Sequence, residues 1–592
     1  MVCEIAYYRK YNIAQAIASS PNFALALSDN SPELEATTMD KLTVFTAKRV
    51  RTMDPGRPLA ETVAVADGKV VSVGSLASMK PWLDRFDHEI DETFKDKVIY
   101  PGFIDPHTHF RMSGVFMGLT YIGPIDQQGP RGFNKGIATR EGVIAKLKEA
   151  DAALDDPSRP ILAWGLDPAV QGGQLHRDEL DSVSKTRPIW TVTYAPHVVV
   201  CNSPMLEVAG VDASTNVYGV ERYGDGRLNG QFIERAATRI ATRPVAKYLN
   251  EPGMGVEAIR TLAKTAQQAG ITATAEMIFG YLDFEAEWAE HREAVLDPEF
   301  PLRMFLVPIE GRIRGAHGER CVDFLLEMQQ QNTEKLAFHG VKFVNDGSYP
   351  AMTLRLRSPG YLDGHEGHRG ENPWEELVEV MLPYWRAGIQ IHSHANGDET
   401  IEMTLDLLEQ LQRIHPRFDH RFTIEHYCIS TPEQARRLKA LGGLASVNNY
   451  FVHFRSLIHA EQGFGPDRAE ATARLGSLER EGVVFALHSD FSLVLTPIHP
   501  LTAAWIAVNR VALDGSVQAP GERIGVDRAM RAITIDAAHV LSRDRDLGSI
   551  EAGKHADFTV LDDDPYEVDP MAIKDVGVWG TVLGGRVFPA DG

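Results

Sequence analysis

Between residues 98 and 490 the chain repeats one arrangement: a short apolar run that reads as a buried strand and ends on a polar residue able to bind metal. VIYPGFID leads into His107 and His109, GVKFVND carries Lys342, GIQIHSH ends on His394, RFTIEH ends on His426, and GVVFALHSD ends on Asp490. Amphipathic helical stretches such as DETIEMTLDLLEQLQRI and TPEQARRLKAL lie between many of these runs. Strand and helix alternating in this way predict a parallel α/β fold, most simply a (β/α)8 TIM-like barrel with insertions. A doubly wound sheet is the alternative, but no GxGxxG follows the first strand. In a barrel the C-terminal strand ends form the active-site face. The five runs would then deliver four histidines, one lysine and one aspartate to one place.

The local spacing has a physical basis. Residues i and i+2 of a strand share a face, so His107 and His109 can address one ion, and imidazole nitrogen suits zinc and other borderline divalent metals. An HxH pair alone is weak evidence. Lys342 is more telling, because it sits among Val341, Phe343 and Val344 in a strand that should be buried. An unpaired ammonium there is costly. Either a buried acid such as Asp346 or Glu276 pairs with it, or the lysine is used chemically.

The ends of the chain read differently. KLTVFTAKRVRTM and ETVAVADGKVVSVGS near the start, and DLGSIEAGKHADFTVLD and VGVWGTVLGGRVF near the end, are strand-like runs split by turn signals. Asp67-Gly68 between such runs is a hairpin signal. With 592 residues, the chain exceeds the roughly 250–300 residues at which single cores stop growing. The expected division is an N-terminal extension at 1–40, a small composite β-sandwich from 41–99 and 541–592, and a barrel over 100–540. Residues 114–244, rich in loops and turns, read as an insertion or lid. The net charge of −21 argues against nucleic acid or an anionic membrane surface as partner. Four scattered cysteines without a CxxC pair read as free thiols in a reducing, cytoplasmic compartment. No apolar stretch approaches the ~18 residues of a membrane helix.

Taken together, PGFIDPHTH, VKFVNDGS, SHANGDETIEMTLDLLE, TIEHYCISTPEQARRLKALGGLASV, HSDFSLVLTPIHPL and LGSIEAGKHADFTVLD resemble the metal-dependent amidohydrolases, specifically the amidohydrolase-3 or YtcJ-like branch. The resemblance runs from about Lys41 to the C-terminus. It implies that His107, His109 and Asp490 hold one divalent metal, expected to be zinc, and that His394 and His426 hold a second. Lys342, carboxylated by carbon dioxide, would bridge the two as a carbamate. A metal-bridging hydroxide would attack the substrate carbonyl, with Asp490 as general acid/base. The implied reaction is cleavage of a C–N bond in a small amide, N-substituted formamide or carbamate. The alternatives are a mononuclear hydrolase or deaminase, a lactone or ester hydrolase on the same site, and a non-catalytic regulatory relative. Mononuclear relatives lack the strand-end lysine.

A second tier surrounds this set. His197, in YAPHVVVCNSPML, and Glu234, in LNGQFIERA, match recurrent family positions and are expected to shape the substrate pocket. Glu276, in GITATAEM, stands where many relatives carry His-Asp, and is expected to line the pocket, orient a ligand or pair with Lys342. His392 and His488 lie two residues before His394 and Asp490, deeper along their strands, and are read as supporting residues. Trp164, Asp167, Tyr349 and Phe451 are candidate pocket walls, and loop 446–475 is expected to help shape the pocket. A homodimer is the base-rate expectation for a soluble enzyme of this kind.

Overall fold

The computed structural model describes residues 41–590 apart from 126, 130–131, 252–253, 371 and 492–495. The N-terminal extension read at 1–40 lies outside the described residues. From Lys41 onward the chain forms one compact unit.

Both ends of the described residues meet in one eight-stranded mixed sheet. Val98–Pro101 pairs in parallel with Leu42–Arg51 and antiparallel with Phe558–Leu561, so the N-terminal and C-terminal strands share one ladder. The Asp67-Gly68 signal is a tight hairpin between Leu59–Ala66 and Lys69–Gly74. Both turn residues have positive φ, 49° and 73°, as a two-residue turn matched to strand twist requires.

The middle of the chain supplies parallel strands. Phe103–Thr108, Ile271–Phe279, Arg303–Pro308 and Leu336–Phe338 pair side by side in that order. Val341–Val344, Ile391–Ala395, Thr423–His426, Leu444–Val447 and Phe485–Leu487 form a second parallel set, also in chain order. Single parallel bridges link the sets: Ile309 to Lys342, and Thr108 to Phe491. Helices such as Leu377–Arg386 and Asp398–Ile414 intervene and bury one face each. The strands are therefore almost wholly buried, as parallel sheets covered by helices must be. The arrangement is a TIM-barrel-like α/β fold.

Two expectations need correction. VIYPGFID is not one strand. It divides at Gly102 into Val98–Pro101, in the mixed sheet, and Phe103–Thr108, in the parallel set. Backbone approach at Gly102 is so close that a Cβ there would lie 1.9 Å from Thr272 Oγ1. Residues 114–244 are also more regular than their composition suggests. They contain the whole of a six-stranded mixed sheet, in the order Val220–Arg222, Leu228–Ile233, Val198–Cys201, Ile189–Thr193, Ile161–Leu166, Thr120–Tyr121, with the helix Arg140–Ala153 packed alongside. Strands of two to six residues between Gly- and Pro-rich connections carry too little periodicity to stand out in the sequence.

Candidate metal centre

The six residues read as ligands all line one cavity of about 100 Å³: His107, His109, Lys342, His394, His426 and Asp490. Their atoms converge. His109 Nε2 lies 2.9 Å from Asp490 Oδ1, and His107 Nε2 lies 3.6 Å from the same oxygen. His426 Nδ1 is 3.7 Å from Asp490 Oδ2. Lys342 Nζ is 3.4 Å from His107 Nε2. The His394 and His426 ring centroids are 4.5 Å apart.

Backbone geometry aims these groups. His426, the last residue of Thr423–His426, and Asp490, three residues past Phe485–Leu487, both have positive φ, 74° and 57°, a costly conformation for residues with a Cβ. Asp490 N donates to His107 O over 3.0 Å, and His109 N donates to Phe491 O over 3.0 Å. The first and last strand ends are thus tied to each other at the site.

Three buried carboxylates orient the set, and the sequence reading gave none of them this role. Glu425 holds His107 Nδ1 at 2.6 Å with one oxygen and His392 Nδ1 at 2.7 Å with the other. A carboxylate only accepts, so His107 donates from Nδ1 and keeps Nε2 for a cation, the usual carboxylate–histidine–metal arrangement. Asp105 accepts from the backbone N–H of Ser489 and from the Ser489 hydroxyl, which fixes the turn into Asp490. Asp346 accepts from the backbone N–H groups of Asn396 and Gly397, 3.0 and 2.9 Å away, and fixes the turn after His394. His394 Nε2 sits 3.0 Å from Gly347 O, which leaves Nδ1 as its other nitrogen. These carboxylates were legible only as neighbours of ligands: Asp105 two before His107, Glu425 directly before His426, Asp346 four after Lys342.

The electrostatics match a cation site. Burial, with the Lys342 charge behind it, lowers the pKa of His107 and of His394, and burial with His394 nearby lowers that of His426. All three are held neutral, the form that ligates metal. Burial works against ionised Asp490, but the His109 hydrogen bond and the pull of the histidine rings around it outweigh it and hold the carboxyl below its ordinary range. Burial likewise opposes a charged His109, and its contacts with Asp490 and Glu276 prevail to raise it. A buried carboxylate sharing a proton with converging imidazoles is a donor set that a divalent ion fits. Among the described residues, two groups of donor atoms could each hold an ion, His107/His109/Asp490 and His107/His426/His488.

The second tier is divided. His197 lines the cavity, and its Nδ1 is 2.8 Å from Glu234 Oε2. Tyr349 and Phe451 line it too. Glu276 does not. It stands behind His109, 3.6 Å from Nδ1, and accepts from Arg111 N over 3.2 Å. Trp164 is core, and Asp167 pairs with Arg455 at 2.6 Å, both buried. His392 is tied to Glu425, and His488 stacks on His107 at 4.5 Å between centroids and is itself one of the donors that could hold an ion.

Known proteins resemble this chain over most of its length. The chain is 28% identical over 550 residues to Protein LONG AFTER FAR-RED 3 of Arabidopsis thaliana, covering 90% of this chain and 89% of that one. It is 24% identical over 570 residues to the N-substituted formamide deformylase of Arthrobacter pascens, covering 93% and 98%. An uncharacterized metal-dependent hydrolase from Pyrococcus horikoshii OT3 superposes with a TM-score of 0.66 at 21% identity, covering 90% of this chain and 99% of that one. The family model of the amidohydrolase family matches residues 94–589, the whole span that carries the strand-end histidines and their carboxylates, and the chain belongs to that family.

Proposed function

We propose that this protein is a metal-dependent hydrolase that cleaves a C–N bond in a small, uncharged amide, N-substituted formamide or carbamate. One observation carries the reading: six metal-competent side chains from five strand ends line a single cavity. Within the same proposal, the two linked parallel sets close into an eight-stranded barrel, with Leu336–Phe338 and Val341–Val344 as one interrupted strand. The eight-stranded mixed sheet is then the composite domain built from both ends.

His107, His109 and Asp490 would hold one divalent ion, and His394 and His426 a second. Lys342, as a carbamate formed with carbon dioxide, would serve both. Such ions, zinc among the candidates, lower the pKa of water and polarise a carbonyl. The chain's own residues do the rest. Glu425 keeps His107 in one tautomer, and Glu276 stands behind His109. Asp490, at the meeting point of His107, His109 and His426, takes the proton of the attacking water and returns it to the leaving nitrogen. The apolar walls Phe116, Trp190, Val192, Tyr349 and Phe451 exclude bulk water and seat an apolar substituent. The relative from Arthrobacter, by its name, acts on N-substituted formamides, which is why formamides belong in the substrate set.

The test is a panel of amides, formamides, carbamates, esters and lactones offered to the metal-loaded protein, with chelator-treated protein as control. Metal-dependent release of an amine supports the reading. Turnover confined to esters or lactones, or none with any compound, overturns it.

A further inference from the structure

Asp167 stands behind the cavity and joins two of its walls. Arg455, at the C-terminal end of the helix Tyr450–Phe454, places Nη1 2.6 Å from Asp167 Oδ2, with both side chains buried. Asp167 directly follows Ile161–Leu166 in the inserted sheet. The Arg455 guanidinium also lies over the Tyr194 ring, 4.7 Å from its centroid. Tyr194 directly follows Ile189–Thr193, the parallel neighbour of that strand, and its hydroxyl donates to Pro350 O over 3.3 Å. Two strand ends of the insertion are thus held against two loops of the parallel strands, one after Leu444–Val447 through Arg455 and one after Val341–Val344 through Pro350.

The same segments make the cavity walls. Trp190, Val192 and Ala195 come from the insertion, and Tyr349, Pro350 and Phe451 from the two loops. Tyr349 and Phe451 stack, with centroids 4.7 Å apart and 10° between their planes, and Arg455 N donates to Phe451 O over 2.9 Å. Among the described residues that line the cavity there is neither Arg455 nor Asp167. A buried ion pair is a poor source of stability, because apolar residues of the same volume often pack as well. What this pair supplies is geometry: a planar guanidinium can bond a carboxylate and cover an aromatic face at once, which fixes three segments together.

We propose that Arg455 is a positioning residue for the substrate. Through Asp167 and Tyr194 it sets the spacing of the two walls, and so gives the site a preference for substrates whose nitrogen carries a compact aromatic group. This rests on the C–N hydrolase reading and adds its selectivity. Apolar walls discriminate by roughly 10- to 200-fold per methylene when their spacing is right, and a misplacement of about 1 Å far from the reacting atoms can cost about 10²-fold.

The experiment measures kcat and KM of the metal-loaded protein on matched N-methyl and N-benzyl members of three classes: formamides, acetamides and methyl carbamates. In the class that is turned over, the native protein should favour the benzyl member by at least about tenfold in kcat/KM. Arg455→Met should raise KM for the benzyl member by about tenfold, with kcat on both members within about threefold of native and metal content unchanged. The preference for benzyl should shrink accordingly. Tyr194→Phe keeps the ring under Arg455 and loses the bond to Pro350, so it should shift the benzyl KM the same way by about threefold. A native protein that does not favour benzyl overturns the proposal while the hydrolase reading stands. So does an Arg455→Met protein that loses activity on both members alike, the mark of a merely structural residue. Where Arg455→Met does not fold, a native benzyl KM in Tyr194→Phe overturns the proposal. No turnover of any pair overturns the hydrolase reading, and this proposal with it.

Discussion

Asp490 and Glu425 are buried carboxylates with different duties, and their surroundings set the difference. Glu425 is fully enclosed and spends both oxygens on histidines. Asp490 borders the cavity and meets three of them. Asp490→Asn keeps the shape and a donor atom but removes the base, so it should bind metal and lose turnover by about 10²-fold or more. Native-like activity of that variant would remove Asp490 from proton transfer. Glu425→Gln should loosen His107 and weaken metal affinity by about 10- to 100-fold, read by competition with a chelator. Unchanged affinity would make Glu425 a packing residue. The ligands were legible in the sequence because each closes an apolar run, whereas Glu425 was not. Strict alternation would point it away from its neighbour His426, but the positive φ at His426 stops the alternation there, and both side chains reach one cluster.

At the scale of elements, the strand ends were readable and the insertion was not. Strands such as Ile391–Ala395 carry a clear apolar pattern, and their partners follow from chain order. The hairpin that carries His197 depends on a sheet of very short strands, and only tertiary pairing reveals it. The segment after Leu444–Val447 shows the same limit. There His459, in the π-helix His459–Gly463, lies between Tyr349 and Phe464, with centroids 4.3 and 5.2 Å away. Neither ring nitrogen has a hydrogen-bond partner. Burial, with the Arg455 charge nearby, pushes its pKa down to about 3. A histidine depressed in the folded state contributes stability that is present above its ordinary value of about 6.5 and is lost as pH falls towards 3. His459→Phe should therefore flatten the fall of stability between those limits. The native protein should lose up to about 1.4 kcal/mol per pH unit more than the variant. Melting curves at a series of pH values check this, and parallel curves for the two proteins would contradict it.

At the scale of the whole molecule, the parallel strands and the mixed sheet are joined through a buried ion pair. Arg303, which begins Arg303–Pro308, holds Asp557 at 2.6 and 3.0 Å, with both side chains buried. The Asp557 carboxylate also accepts from Gly584 N over 2.8 Å. Asp557→Ala would strand a buried guanidinium and should cost about 3–5 kcal/mol, seen as a lower Tm at unchanged metal content. A Tm within a degree of native would show that the junction does not depend on this pair. The sequence displayed strand-rich ends and an α/β middle, but not where one gives way to the other. That point is Gly102, and it became visible only when Thr272 packed against it.

The measurement that bears most directly on the whole account is metal content per chain, by plasma mass spectrometry, on protein purified with divalent metal and bicarbonate present. A metal-dependent hydrolase with both ligand groups filled should carry close to two equivalents, fall by at least one in Lys342→Ala, and lose amine release when the metal is stripped. A chain that binds no divalent metal under these conditions would contradict the account at its centre, because six converging side chains would then serve no ion.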